Sequence, residues 1–425
     1  MAECLGFTQE VPAGDTVKSA WRANTDAALA AGVFGVPALQ VGKTLFRGSD
    51  AHAFALAVRE DPALLDDAEM RRVSTLPIGA ARPHRIWRSC AIRCGRGRNA
   101  LRSRRIPYKG QRMRIGLVVD SACDLPGDYL AANDITILPI TVRIGEAVLA
   151  DHRNEQATLE FLHTQIAERG AEAETMPYTV QQIQDVFLKK LVIDYDYVFC
   201  MTITRSRSPI YDNAMQASFA ILNEYRPIRA AAGNDTPFAL RVIDSQSLFS
   251  GQGILPVEAV RLRAAGEGPP KIRARLEYLA MHTHGYLVPR DLYYIRNRAR
   301  KKGDRSVSLL SAALGTALDI KPVLHAHRGE TGPVAKIKGF EPAAQKVFEF
   351  TARRVGAGLL TPTVCLCYGG ELEEMRALPG YAPLREVCAA QNIDVYESVM
   401  SLTGMVNVGK GALVVGFAAE PHRFE

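Results

Sequence analysis

Residues 113–126 read MRIGLVVDSACDLP, a short apolar run over Ile115–Val119 that stops at Asp120-Ser121. An apolar run of this length closed by polar turn formers predicts a strand. Strand-like and helix-like stretches then alternate. ITILPITVRI (135–144) is β-branched, VQQIQDVFLKKL (180–191) has helical spacing, and YDYVFCMTIT (195–204) reads as a strand. DNAMQASFAILNEY (212–225) reads as a helix and FALRVIDSQS (238–247) as another strand. Such alternation predicts an α/β layer with a mostly parallel sheet.

Three of these strands end in polar clusters: Asp120-Ser121, TRSRSP (204–209) and Asp244-Ser245. Ligands bind parallel sheets outside the carboxyl ends of the strands. Any one cluster suits a helix N-cap or an Asx turn. Three in the same topological place suit an anion held by neutral hydroxyls, since no carboxylate pair accompanies them.

Working back from Met113, the chain crosses a basic strip. From Arg82 to Arg114 there are eleven Arg, one Lys and no acid, a local charge of +12. The whole chain carries +7, so the remainder carries −5. The basic character thus belongs to one strip, with one Trp and one Tyr beside the arginines, and not to a folded nucleic-acid-binding face. The strip, residues 84–112, is expected to be a solvated linker, with no nucleic acid as partner. Cys90 and Cys94 within it lack the second pair that a zinc site requires.

Composition is that of a globular protein, 47% apolar and 23% charged. No run approaches the roughly 20 apolar residues of a membrane span. The opening residues lack a signal-peptide pattern, so a cytoplasmic location is expected. Cys365 and Cys367, in TPTVCLCYGG, are expected on one face of a buried strand.

Before the strip, residues 20–78 read as helix, loop, strand, hairpin and helix. GVFGVPALQVGKTLFRG (32–48) resembles the C-terminal half of a thioredoxin-like protein. It is closest to the branch holding 2-hydroxychromene-2-carboxylate isomerases and kappa-class glutathione transferases. The resemblance covers about residues 18–83. It implies a cis bond at Val36-Pro37 and a following hairpin over 39–48, and it lacks that family's first strand and catalytic Ser or Cys. Residues 1–83 are therefore expected to be a truncated fragment without activity.

From Met113 to Phe417 the sequence resembles the DegV family of bacterial fatty-acid-binding proteins. DSACDLP carries the opening signature, and ETMPYT (174–179) stands at the family's Thr-Ser-x-Pro. ITRSRSPIYDNA (203–214) stands at its Ser-Ser-x-Leu-Ser-Gly-Thr-Tyr motif. VIDSQSLFSGQG (242–253), LDIKPVL (318–324) and NVGKGALVVGF (407–417) follow in order. The resemblance implies two α/β lobes, expected at 113–285 and 286–425, with a long-chain fatty acid between them. It makes Ser208, Thr175 and Ser121 the donors to the fatty-acid carboxylate, Arg205 a charge partner, and Asn407 the replacement for the closing His. Glu174 in place of the family's Thr would repel a carboxylate, and Pro209 removes an amide that could have donated. No cofactor and no metal are expected. A kinase subunit that phosphorylates the bound acid is a partner known for some relatives, and Tyr293–Ser306 offers a basic edge for it.

The competing reading is an enzyme, hydrolytic or isomerase-like, on an acyl or small carboxylate substrate. It finds no Gly-x-Ser-x-Gly elbow and no His tied by motif to a Ser. GMVNVGKG (404–411) lacks the Ser or Thr of a phosphate loop, and a strand-like run follows it. His282 with His284, and His325 with His327, form two pairs at strand spacing and are expected as surface or interlobe histidines.

Overall fold

The structure is a computed structural model and describes residues 38–41, 44–47, 52–66, 113–164, 173–295 and 319–425. The chain divides into two units, residues 1–104 and 105–425.

In the first unit, β1 (Ala38–Val41) and β2 (Thr44–Arg47) pair antiparallel with Val41 opposite Thr44. This is the hairpin expected after Pro37. Helix α1 (His52–Glu60) buries Ala55 and Val58. Val36-Pro37 and the strip 84–112 lie outside the described residues.

The second unit opens with β3 (Ile115–Asp120), buried at every position. After α2 (Gly127–Ala132), β4 (Ile135–Leu138) returns parallel to it. Strands β8 (Tyr197–Thr202) and β9 (Ala239–Asp244) complete a four-stranded, wholly parallel sheet in the order β4-β3-β8-β9. All the polar strand ends of the sequence reading therefore lie on one edge.

The run ITILPITVRI is two strands. Pro139 has no N–H to give a ladder, and the chain leaves the sheet there. β5 (Ile140–Ile144) pairs antiparallel with both β6 (Ala147–Asp151) and β7 (Glu174–Pro177) in a separate three-stranded sheet. Helix α3 (Glu155–Leu162) lies between β6 and β7 in sequence, its N-cap Asn154 accepting from Ala157 N–H. Helix α4 (Val180–Val186) begins with a capping box between Thr179 and Gln182 and runs on through a π turn at Phe187–Leu191. Helices α5 (Ile210–Ala220) and α6 (Tyr225–Ala231) connect β8 to β9.

Helix α7 (Ser250–Ala264) is buried on almost every side through its first ten residues. A helix with no polar face must be enclosed, and α7 packs against both the parallel sheet and the next one. Helix α8 (Pro269–Ala280) leads into that second sheet, which has six strands in the order β12-β11-β10-β15-β13-β14. These are β10 (Thr283–Val288), β11 (Ile320–His327), β12 (Glu330–Lys338), β13 (Thr363–Tyr368), β14 (Asp394–Val399) and β15 (Leu413–Ala418). Helices α9 (Phe340–Ala357), α10 (Leu372–Arg376), α11 (Tyr381–Ala390) and α12 (Leu402–Val408) complete the unit. Cys365 and Cys367 are fully buried in β13. Helix α12 precedes β15, the reverse of a phosphate loop's strand-then-helix order, which disposes of the GMVNVGKG motif.

Buried Arg229 of α6 ties the edge of the parallel sheet. It donates to the carbonyls of Val192 (2.6 Å) and Thr236 (2.8 Å) and pairs with Asp196 at 2.8 Å. Burial alone would raise the Asp196 carboxyl, but hydrogen bonds from Arg114 and Arg229 outweigh it and hold it below the usual carboxylate range. A depressed carboxylate stabilises the fold above its unfolded pKa and loses that contribution as pH falls through the folded value. Asp196→Asn is expected to flatten the acid limb of a stability–pH profile measured by urea unfolding. An unchanged limb would assign acid sensitivity elsewhere.

Candidate functional site

At the carboxyl edge of the parallel sheet, the two Asp-Ser pairs do different work. Asp120 accepts from Ala122 N–H (2.9 Å), an Asx turn, and from Ile203 N–H (2.6 Å) and Gln252 Nε2 (3.2 Å). Burial pushes its carboxyl up to about 6 against these hydrogen bonds. Asp244 forms the matching turn with Gln246 N–H (2.9 Å) and also accepts from Arg205 N–H. Ser245 is spent locally, accepting from Ser247 N–H and donating to Ser247 O. These carboxylates organise loops; they do not face a ligand as free charges.

Ser121 is the exception. Its buried Oγ accepts from Ile140 N–H at 2.9 Å, so its own proton is left to donate. Thr403 Oγ1 lies 3.5 Å away, a long hydrogen bond in which Ser121 is the donor, since Thr403 gives its own proton to Asp151 Oδ2 at 2.8 Å. Asn407, one turn further along α12, donates to Thr403 O. The N-cap Ser401, which accepts from Gly404 N–H, fixes the start of that helix.

Thr175 reaches the same neighbourhood from β7. It sits opposite Val142 of β5, and directly opposed residues point to one face. Val142 packs with Leu402 and Val406 of α12. Glu174, its neighbour along the strand, points to the other face and pairs with Arg143. The expected repulsion from Glu174 is therefore corrected: period-two geometry turns this carboxylate away from Thr175 and toward a guanidinium.

Ser208 and Arg205 occupy the loop between β8 and α5. Ser208 is half-buried and its Oγ accepts from Ile210 N–H at 3.3 Å, again leaving a proton to donate. Arg205 is exposed, pairs with Asp212 at 3.2 Å and lies over the Tyr211 ring. The structure thus gathers Ser121, Thr175 and Asn407 about β5 and α12, and places Ser208 and Arg205 on the adjoining edge of the parallel sheet. Thr403 and Asp151 were missed by sequence reasoning. Thr403 stands immediately before GMVNVGKG, outside every stretch that the sequence reading singled out.

Beside these groups runs an apolar cluster contributed by both sheets. Ile203, Ile210 and Leu248 come from the parallel side, Leu287 and Leu324 from β10 and β11, and Met405 from α12. Polar donors beside a shared apolar surface suit an amphiphile with an anionic head. Among the described residues, no helix is long and apolar enough to cross a membrane. Of the basic segment Tyr293–Ser306, only residues 293–295 are described.

Comparison with known proteins places the matched family within the second unit. A DegV domain-containing protein of Xanthomonas campestris pv. campestris is 69% identical over 312 residues, 73% of this chain and 99% of that protein. The crystal structure of DegV from Bacillus subtilis, described as a fatty acid binding protein, superposes with a TM-score of 0.58 at 18% identity. It covers 72% of this chain and 100% of that one. A stearic acid-binding protein from Eubacterium ventriosum gives 0.57 at 22% identity, over 72% of this chain and 98% of that one. The family described as "Uncharacterised protein, DegV family" matches residues 114–420, and the chain belongs to the DegV family.

Proposed function

We propose that the second unit binds one long-chain fatty acid. The carboxylate rests on the hydroxyls of Ser121, Thr175 and Ser208, with Asn407 and Arg205 at its margin, and the chain lies against the apolar surface shared by the two sheets. The observation that carries this reading is that Ser121 and Ser208 each accept from a backbone amide, which leaves the Ser208 proton to donate and that of Ser121 in only a long contact with Thr403. Such groups hold an anion without a buried counter-charge. Relatives described as fatty-acid-binding proteins support the ligand class.

The energetics agree. An acyl chain gains roughly 0.8 kcal/mol per buried CH₂, on the order of 10 kcal/mol in all, before association costs. A charge-assisted hydrogen bond adds about 1.5–3 kcal/mol. Affinity comes from the tail and orientation from the hydroxyls. The reading is of a carrier and not an enzyme, and it extends to delivery of the carboxylate to an ATP-dependent kinase subunit. The thioredoxin-like origin of residues 18–83 is proposed on the β1–β2 hairpin.

The test is titration of delipidated protein with a long-chain fatty acid, with native mass spectrometry of the untreated protein. An acyl adduct is expected to co-purify. Ser121→Ala, Ser208→Ala and Thr175→Val should each weaken binding about ten- to a hundredfold. Parent-like binding in all three would mean that the carboxylate is held elsewhere.

A further inference from the structure

Of the two histidine pairs of the sequence, His284 is buried, contrary to the expected surface or interlobe position, while His282, His325 and His327 are partly exposed. His282 falls before β10 and stacks on Tyr278. His284, inside β10, is 1% exposed and stands directly opposite His327 of β11. His325 lies two residues back along β11, on the same face, opposite Tyr286. Strand pairing has therefore assembled three imidazoles from segments 41 residues apart.

We infer that His284, His325 and His327 form a binding site for one divalent transition-metal ion of the kind imidazole selects, such as Zn²⁺, Co²⁺ or Ni²⁺. Each ring can offer one nitrogen such that all three lie within 4.8 Å of one another. Two nitrogens each about 2.1 Å from a common tetrahedral ion are about 3.4 Å apart. His284 Nδ1 and His325 Nε2 are already 2.9 Å apart. The three ligand nitrogens lie within 4.8 Å of one another, so the third ring must move by about 1–2 Å to reach ligand distance.

The remaining ring nitrogens are fixed as metal-binding histidines fix theirs, by donation to backbone carbonyls. His327 Nδ1 lies 2.9 Å from Thr283 O, and His284 Nε2 lies 3.2 Å from Ala419 O. A carbonyl only accepts, so those nitrogens carry the protons. The lone pairs of His327 Nε2 and His284 Nδ1 are then free to coordinate. With His284 Nδ1 unprotonated, His325 must donate Nε2–H to it. Coordination exchanges this ring-to-ring hydrogen bond for two metal–nitrogen bonds, with the His325 proton moving to its own Nδ1. No net charge is created on the rings.

His284 and His327 stack at 4.1 Å with planes 7° apart, so their in-plane lone pairs converge on one ion only after one ring turns about its Cβ–Cγ bond. His422 covers His284 at 4.1 Å. His422 is itself held by the Tyr286 hydroxyl at 3.0 Å. A ligand set of imidazoles without carboxylates excludes Ca²⁺ and Mg²⁺, which take oxygen. The site does not depend on the fatty-acid reading.

The experiment uses the untagged full chain, stripped with chelator and titrated with Co²⁺ by visible absorption and with Zn²⁺ by calorimetry. One equivalent is expected, with d–d bands and no thiolate charge-transfer band. His325→Gln and His327→Gln, both at partly exposed positions, should each lower affinity by about a hundredfold or more. His282→Gln should bind as the parent does. Circular dichroism melts of the variants separate lost coordination from lost folding. Absence of stoichiometric binding by the parent would overturn the inference. So would parent-like affinity in folded His325→Gln and His327→Gln, or a thiolate band, which would place the ion on cysteine.

Discussion

Asp124→Ala is expected to destabilise the second unit by about 3–5 kcal/mol, because it strands a buried guanidinium. Asp124 and Arg153 form an ion pair at 3.3 Å with side chains 0% and 1% exposed. Arg153 also donates to Leu125 O and Val399 O, both at 3.0 Å. It thus joins the loop after β3 to the end of β14. Asp124 in turn accepts from Ser401 N–H at 2.9 Å and from the Cys367 thiol at 3.0 Å. Burial pushes the Asp124 carboxyl up and Arg153 opposes it. Arg153, Ser401 and Cys367 all donate to this carboxylate.

Removing the carboxylate leaves Arg153 with Glu155 at 4.0 Å as its nearest remaining salt-bridge partner. The double variant Asp124→Ala/Arg153→Met should recover part of the loss, since it removes the buried charge while leaving two carbonyls unpaired. Guanidinium unfolding of the parent, both single variants and the double variant gives the coupling directly. A single-variant cost under about 1 kcal/mol would mean that water reaches Arg153 and that the hub is not dry.

Asp124 was legible in the sequence as part of DSACDLP, whereas Arg153 was not. Its own segment, DHRNEQ, has no pattern, and its value comes from contacts up to 246 residues away along the chain. The same division runs through the molecule. The parallel sheet was readable because each buried strand is a continuous apolar run with a polar stop, a property of a few adjacent residues. The change of sheet at Pro139 was hidden inside one β-branched run. Thr403 and Asp151 meet across 252 residues, beyond any local signal. The histidines were visible as pairs, but the pairing was the wrong one. Antiparallel register joins His284 to His327 and leaves His282 out. Ser121, Thr175 and Asn407 were proposed through motif order, and the structure brings them near β5 and α12, a proximity that periodicity alone does not carry.

The glycines of α7 and β15 give the other large effect. In Gly416→Ala the new Cβ would lie 2.6 Å from Gly251 N and from both the carbonyl carbon and oxygen of Ser250. All three are backbone atoms at the start of α7, so no side chain can swing aside. Either the helix retreats from β15 or the strand bulges. Overpacking costs about 1–3 kcal/mol where side chains adjust, and Gly416→Ala is expected at or above about 3 kcal/mol. Two other glycines isolate the cause. Gly116→Ala would bring its Cβ within 2.5 Å of the Tyr195 ring, a comparable approach but against a side chain. It should cost clearly less, since a ring at the sheet edge can tilt. Gly332→Ala, with nothing within 4 Å, should be neutral or slightly stabilising through the unfolded chain. Denaturant midpoints for the three variants should therefore fall in the order Gly332, Gly116, Gly416, from mildest to most severe. Equal costs would show that lost backbone freedom, and not close approach, makes glycine necessary. The order matters for binding because α7 packs against both sheets and so sets their separation. A Gly416→Ala protein that still folds should also bind fatty acid more weakly than the Gly116→Ala protein, as the apolar surface shared by the sheets is pushed apart.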